Sequence, residues 1–146
     1  MKIAIVSSIF NEKISNNLIS GATQCYKDIT NSNFNQSDLY KVPGAFEIPF
    51  FVKKLLNNSS DNFDAIITLG CIIKGETAHF EYISESVTKG IMNLNLSEFN
   101  VPVIYGVLTT YSIDQALNRS LSDKSNKGYE VMNSAIKMID LIKRID

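Results

Sequence analysis

The sequence predicts an α/β domain built on a parallel β-sheet, and three observations predict it. Short apolar runs rich in β-branched residues alternate along the chain with longer segments of 3.6-residue periodicity. The apolar runs are continuous rather than alternating, as in strands covered on both faces. The helical segments between them are long enough to carry right-handed crossovers between parallel strands.

Each element follows in order. Residues 2–7, "KIAIVS", read as a buried strand. Over 12–29, Ile14, Leu18, Ile19, Ala22, Cys25, Tyr26 and Ile29 fall on one helical face, with Asn11 as N-cap. "SDLYKV" (37–42) is a short second strand, "PGAFEIP" (43–49) a turn, and "FFVKKLLNN" (50–58) a helix. "FDAIITLGCII" (63–73) is the third strand, followed by helical spacing of Ile83, Val87, Ile91 and Leu94. "VPVIYGVL" (101–108) is the fourth. "SIDQAL" (112–117) opens a short helix with a capping box, Ser112 and Gln115. A last helix starts near Asn126 and buries Val131, Ala135, Met138, Ile139 and Ile142. The asparagine-rich stretches "NNSSDN" and "NLNLSEFN" read as loops or helix ends.

The bulk properties narrow the function. A chain of 146 residues with 45% hydrophobic residues suits a single domain, residues 1–146, with a real core. A net charge of −1 gives no field to draw it to nucleic acid or a membrane surface. No apolar run approaches the roughly 18 residues of a membrane span, and "MKIAIV" is too strand-like for a signal peptide. Cys25 and Cys71 match no metal or redox spacing, and two free thiols suit a cytoplasmic protein. With one histidine in the chain, no metal cluster is expected.

Ligands on open parallel sheets bind beyond the carboxyl ends of the strands. Here those ends are "SSIFN", "VPGAFE", "IIKGETAH" and "YGVLTT". In the third, Gly75-Glu76-Thr77 precedes a helix, whose free N–H groups and positive dipole end favour an anion; the turn also reads as an ordinary one with Thr77 as N-cap. His79 is a candidate proton carrier beside that anion, or a solvated histidine, and Glu81 either orients it or is a first-turn acid. Phe10 either stacks on a flat ring or rims the core. Glu47, between Phe46 and Ile48, needs partners, which polyol hydroxyls or turn amides would supply. Arg119 and Lys127 complete the anion site or are surface cations.

Five strings carry a resemblance: "FN" at 10–11, "VPGAFEIP" at 42–49, "GCIIKGETAHFEYI" at 70–83, "PVIYGVLTT" at 102–110 and "NKG" at 126–128. With this spacing the chain resembles the 6,7-dimethyl-8-ribityllumazine synthases of riboflavin biosynthesis nearly from end to end. The resemblance implies a flavodoxin-like three-layer sandwich with a central four-stranded parallel sheet. It implies a transferase that condenses 5-amino-6-(D-ribitylamino)uracil with 3,4-dihydroxy-2-butanone 4-phosphate. By the same resemblance Phe10 stacks on the pyrimidine and Ala45, Phe46 and Glu47 hold the ribityl chain. Cys71, Ile72 and Ile73 present backbone to the uracil edge. Glu76 and Thr77 receive the phosphate, and His79 transfers protons. Tyr105, more often phenylalanine in the family, and the phosphate-side cations Arg119 and Lys127 are implied to come from a neighbouring subunit. The implied reaction exchanges no electrons and needs no cofactor. A cyclic homopentamer, or a multiple of it, with sites between subunits is implied as well.

Three departures accompany the resemblance. Ile9 stands where arginine is frequent, "SLSDKS" (120–125) lacks the glycines common in that loop, and the chain begins almost at its first strand. The last two favour a pentamer over a large shell. Two rival functions are an archaeal-type riboflavin synthase, which dismutates two lumazines, and a non-catalytic flavin-binding module. "KGETAHFEY" favours the condensation over the first; His79, Thr77 and Arg119, which flavin binding does not require, argue against the second.

Overall fold

A computed structural model describes residues 1–58 and 62–145; Ser59, Ser60 and Asp61 of the "NNSSDN" segment, and Asp146, lie outside the described residues. The sheet comprises β1 (Ile3–Ser8), β2 (Leu39–Val42), β3 (Ala65–Ile73) and β4 (Val103–Thr110), ordered β2-β1-β3-β4. Every pairing is parallel; Ile5 lies opposite Leu39 on one side of β1 and Ile67 on the other, and Ile67 also faces Ile104. The helices are α1 (Glu12–Thr30), α2 (Ile48–Leu56), α3 (His79–Asn95), α4 (Ile113–Asn118) and α5 (Lys127–Ile142). This is the three-layer flavodoxin-like sandwich expected from the sequence.

Alternate residues of each strand feed two cores, one per face of the sheet. Ile3, Ile5, Ile67 and Leu69 pack with Ile14 and Leu18 of α1 and Val131, Met132 and Ala135 of α5. Ala4, Val6, Ile66 and Val107 pack with Ile48 and Val52 of α2 and Val87 and Ile91 of α3. Helices on both faces explain why the strands read as unbroken apolar runs.

Local departures from the expected elements have local causes. The second strand is shorter at its start because residues 36–38 form a 3₁₀ turn, capped where Asn35 accepts the Ser37 N–H at 3.2 Å. Residues 43–49 are not one turn: a 3₁₀ turn at Ala45–Glu47 runs directly into α2, whose start holds Pro49, where its fixed φ suits a first helical turn. At α4 the Ser112 hydroxyl accepts the Gln115 N–H at 3.3 Å, but Gln115 reaches back to the Tyr111 N–H at 2.9 Å rather than to that of Ser112. Met138 and Ile29, expected inside, are exposed, and Ile142 is only half-buried. On α5 the buried stripe runs instead through Gly128, Val131, Met132, Ala135, Ile136 and Ile139.

That stripe starts with a close contact between α5 and α1. A Cβ at Gly128 would come to 1.9 Å from the Leu18 carbonyl oxygen of α1. The obstacle is backbone, so it cannot swing aside. Gly128→Ala is expected to cost about 3 kcal/mol through overpacking. Chemical denaturation of both proteins checks it; an unchanged midpoint would show that α1 and α5 can separate freely.

Candidate active site

In the strand order β2-β1-β3-β4 the chain runs one way from β1 to β2 and the other way to β3. At such a reversal the connections leave a crevice beyond the strand ends. A cleft of ≈ 710 Å³ lies there. It is lined by Phe10 and Asn11 after β1, Gly44 to Glu47 after β2, Cys71 to Ile73 at the end of β3, and Gly75, Thr77, His79 and Phe80 beyond it, with Ile83 and Ile113.

Of the residues singled out in the sequence, Phe10, Ala45, Phe46, Glu47, Cys71, Ile72, Ile73, Thr77 and His79 therefore share one cleft. Glu76 lies in the turn between Gly75 and Thr77 but does not line it, and neither do Tyr105, Arg119 or Lys127.

Phe10 is 70% exposed on the β1–α1 connection, available to a ligand rather than packed at the core rim. Asn11 takes a left-handed conformation, φ 58°, and precedes α1 without capping it through its side chain. Its Nδ2 instead donates to the Cys71 carbonyl at 3.0 Å, tying the β1 loop to the end of β3. The cap reading of Asn11 was thus right about position and wrong about the side chain, because the left-handed backbone turns that amide away from the first turn of the helix. The Glu47 carboxylate folds back over Gly44, where an added Cβ would meet Oε2 at 2.9 Å.

Cys71 belongs to the core by its side chain, and burial pushes its thiol up to about 11. A neutral thiol is a poor nucleophile, so what this residue can offer a ligand is its backbone. The β3–β4 ladder extends one step past the strand, the Lys74 N–H donating to Thr110 at 2.9 Å, which fixes where the turn begins.

At that turn α3 begins with His79. The position before it, Ala78, is already helical, and no side chain caps the helix. Thr77 comes nearest to doing so, its Oγ accepting the His79 N–H at a long 3.4 Å. Beyond the His79 N–H, the start of α3 carries no side-chain cap from Ala78, and the dipole there favours an anion. Of the two readings of Glu81, the first-turn acid holds: it lies in the first turn of α3 and pairs with Lys74 at 3.0 Å rather than with His79. The hydrogen bond from Lys74 holds the Glu81 carboxyl below the usual range, and the same bond raises the Lys74 ammonium.

The residues outside the cleft are also organised. On β4, Tyr105 is half-buried with its hydroxyl 3.1 Å from Thr88 Oγ. The Thr88 hydrogen goes to the Ser84 carbonyl at 2.7 Å, so the phenol is the donor. Arg119 and Lys127 grip the two oxygens of one carboxylate, Glu130, at 3.0 and 2.8 Å. A further bond from the Lys127 N–H to the Arg119 carbonyl, 2.8 Å, holds the cations side by side. The hydrogen bond from Lys127, joined by its charge and by the bond and charge of Arg119, holds the Glu130 carboxyl below its usual range.

Sequence reasoning overlooked Glu130, Phe80, Ile113 and the Lys74–Glu81 pair. Lys127 and Glu130 at i, i+3 were a legible signal for one ion pair. Ile113, 57% exposed at the start of α4, carried no such signal, because only the fold sets its exposure.

Among the described residues, no group of three or more His, Cys, Asp or Glu could hold a metal ion, and no helix is long and apolar enough to cross a membrane. Residues 1–143 match the family model described as 6,7-dimethyl-8-ribityllumazine synthase. A match over nearly the whole length takes in the four sheet-edge connections together with the core that spaces them, so the chain belongs to the 6,7-dimethyl-8-ribityllumazine synthase family, transferases of riboflavin biosynthesis.

Proposed function

We propose that this chain condenses 5-amino-6-(D-ribitylamino)uracil with 3,4-dihydroxy-2-butanone 4-phosphate, giving 6,7-dimethyl-8-ribityllumazine, phosphate and water. One observation carries the reading within the family: a single cleft joins an exposed aromatic, a carboxylate, strand-end backbone and the only imidazole of the chain to an uncapped helix start. Two ring-forming substrates, one with a polyol arm and one with a phosphate, call for such a set.

In this reading Phe10 stacks on the pyrimidine and the backbone of Cys71, Ile72 and Ile73 meets the uracil edge. Ala45, Phe46 and Glu47 hold the ribityl chain, with the carboxylate accepting from its hydroxyls. The phosphate rests on the turn at Glu76 and Thr77, where N–H groups and dipole favour it. The uracil substrate carries its own amine, so the enzyme supplies no lysine for imine formation. Imine formation releases water, phosphate is eliminated, and tautomerisation and ring closure follow with loss of a second water. Each step moves a proton, and His79 serves in turn as base and acid. Much of the acceleration comes from holding two substrates in register.

Tyr105, Arg119 and Lys127 complete the site from the next subunit of a ring, with a pentamer as the basic unit of this cytoplasmic, single-domain protein. A head-to-tail interface that closes gives every cleft the same two halves. Supplying the purified protein with both precursors tests the reading. The appearance of lumazine absorbance and fluorescence, with one phosphate released per turnover, is expected. Conversion of lumazine to riboflavin would favour the dismutation, and tight flavin binding without turnover the binding module.

A further inference from the structure

Lys74 stands at the junction of β3 and the phosphate turn, and its ammonium makes three contacts. It lies 3.0 Å from Glu81, 5.9 Å from the centre of the Phe80 ring and 5.6 Å from that of Tyr111. The two rings lie 6.1 Å apart at 44°. Phe80 in turn lines the cleft. The end of β3, the first turn of α3 and the connection after β4 therefore meet at one cation.

Both members of the ion pair are about half exposed, 44% and 53%, so its contribution to stability is small. Its location gives it a different consequence. Glu81 is the third residue of an uncapped helix. An acid there suits the helix dipole but repels any anion that approaches the same N–H groups. Among the described residues, Lys74 is the only cation that pairs with it.

We infer that Lys74 is a charge-balancing, positioning residue: it neutralises Glu81 so that the open start of α3 accepts the phosphorylated substrate and discriminates in its favour. The inference rests on the phosphate-releasing condensation proposed above. Lys74 does not bind phosphate itself; its ammonium is already engaged by a carboxylate and two ring faces.

The test separates charge from packing by sign. Lys74→Met exposes the Glu81 charge and is expected to raise KM for the butanone phosphate about three- to fivefold, the scale of a partly exposed charge pair. Glu81→Gln removes the repulsion and frees a cation, so KM falls. The double variant returns close to wild type. In all three, kcat and KM for the ribitylaminouracil stay within about twofold, and 0.5 M salt compresses the differences. A packing role gives another pattern, with both single variants moving KM in the same direction and the double no better than either; that pattern overturns the inference, as does wild-type KM in every variant. Inorganic phosphate, titrated calorimetrically into the full-length proteins, gives a readout independent of turnover. Its affinity should rank Glu81→Gln above wild type above Lys74→Met. If wild type makes no lumazine but this ranking appears, the condensation reading fails and the charge balance stands. If turnover is normal and both the ranking and the KM shifts are absent, only the charge balance fails.

Discussion

His79→Ala is expected to fold normally and to turn over roughly 10²–10⁴ times more slowly, the scale for losing a general acid–base group. Folding is spared because His79 is exposed at the first position of α3 and its side chain belongs to neither core. Alanine is also a good helix former, so the helix start loses nothing intrinsic. Turnover suffers because the chain has no second histidine, and among the described residues Glu47, which the proposed reading gives to the polyol, is the one carboxylate lining the cleft. The effect should fall on kcat, since the imidazole acts on protons in flight rather than on a binding group. Steady-state kinetics with both substrates saturating checks this, beside circular dichroism of the variant. Near-wild-type kcat would remove His79 from the mechanism while leaving the cleft as a binding site.

Arg119→Ala should raise KM for the butanone phosphate far more than for the uracil substrate, because a charge-assisted contact is worth roughly 1.5–3 kcal/mol, or about 10- to 150-fold. Lysine at 119 should rescue only in part, lacking the planar fork. Equal changes for both substrates would count against a phosphate role. The larger expected effect comes from mixing. Arg119 lies outside the cleft of its own chain, and with Lys127 it is held on Glu130 at the α4–α5 junction. If that edge serves the next subunit, His79→Ala and Arg119→Ala damage opposite halves of each site. Mixed under conditions that exchange subunits, two weakly active proteins should regain activity, because some interfaces then join two intact halves. At one-to-one mixing, random assembly makes about a quarter of the interfaces wholly intact, which sets the ceiling of recovery for a heterologous ring. Light scattering should give a mass of five chains or a multiple. Demonstrated exchange without recovered activity rejects the shared site even if the ring exists; an active monomer rejects both.

The sequence by itself determined the layers and the address of the cleft. Continuous apolar runs such as "AIITLGCII" encode strands covered on both faces, and the 3.6-residue stripes encode the helices that cover them. Parallel strands then place every residue that follows a strand at the same edge, which is why Phe10, Glu47, Thr77 and His79, far apart in the chain, were predictable neighbours. The cap at α4 is local too, so the Ser112 hydroxyl behaves as read. Where a polar side chain with several possible partners points was left to the tertiary structure. Asn11 turns to Cys71 across β1 and β3, and Glu81 turns to Lys74 instead of His79. Arg119 and Lys127 converge on Glu130, and Gly128 sits against Leu18 where two helices touch backbone to backbone. Hydrophobic periodicity is a property of one segment and survives without its neighbours. A hydrogen bond or ion pair depends on distances of about 3 Å between segments remote in sequence, and only the packed fold sets those.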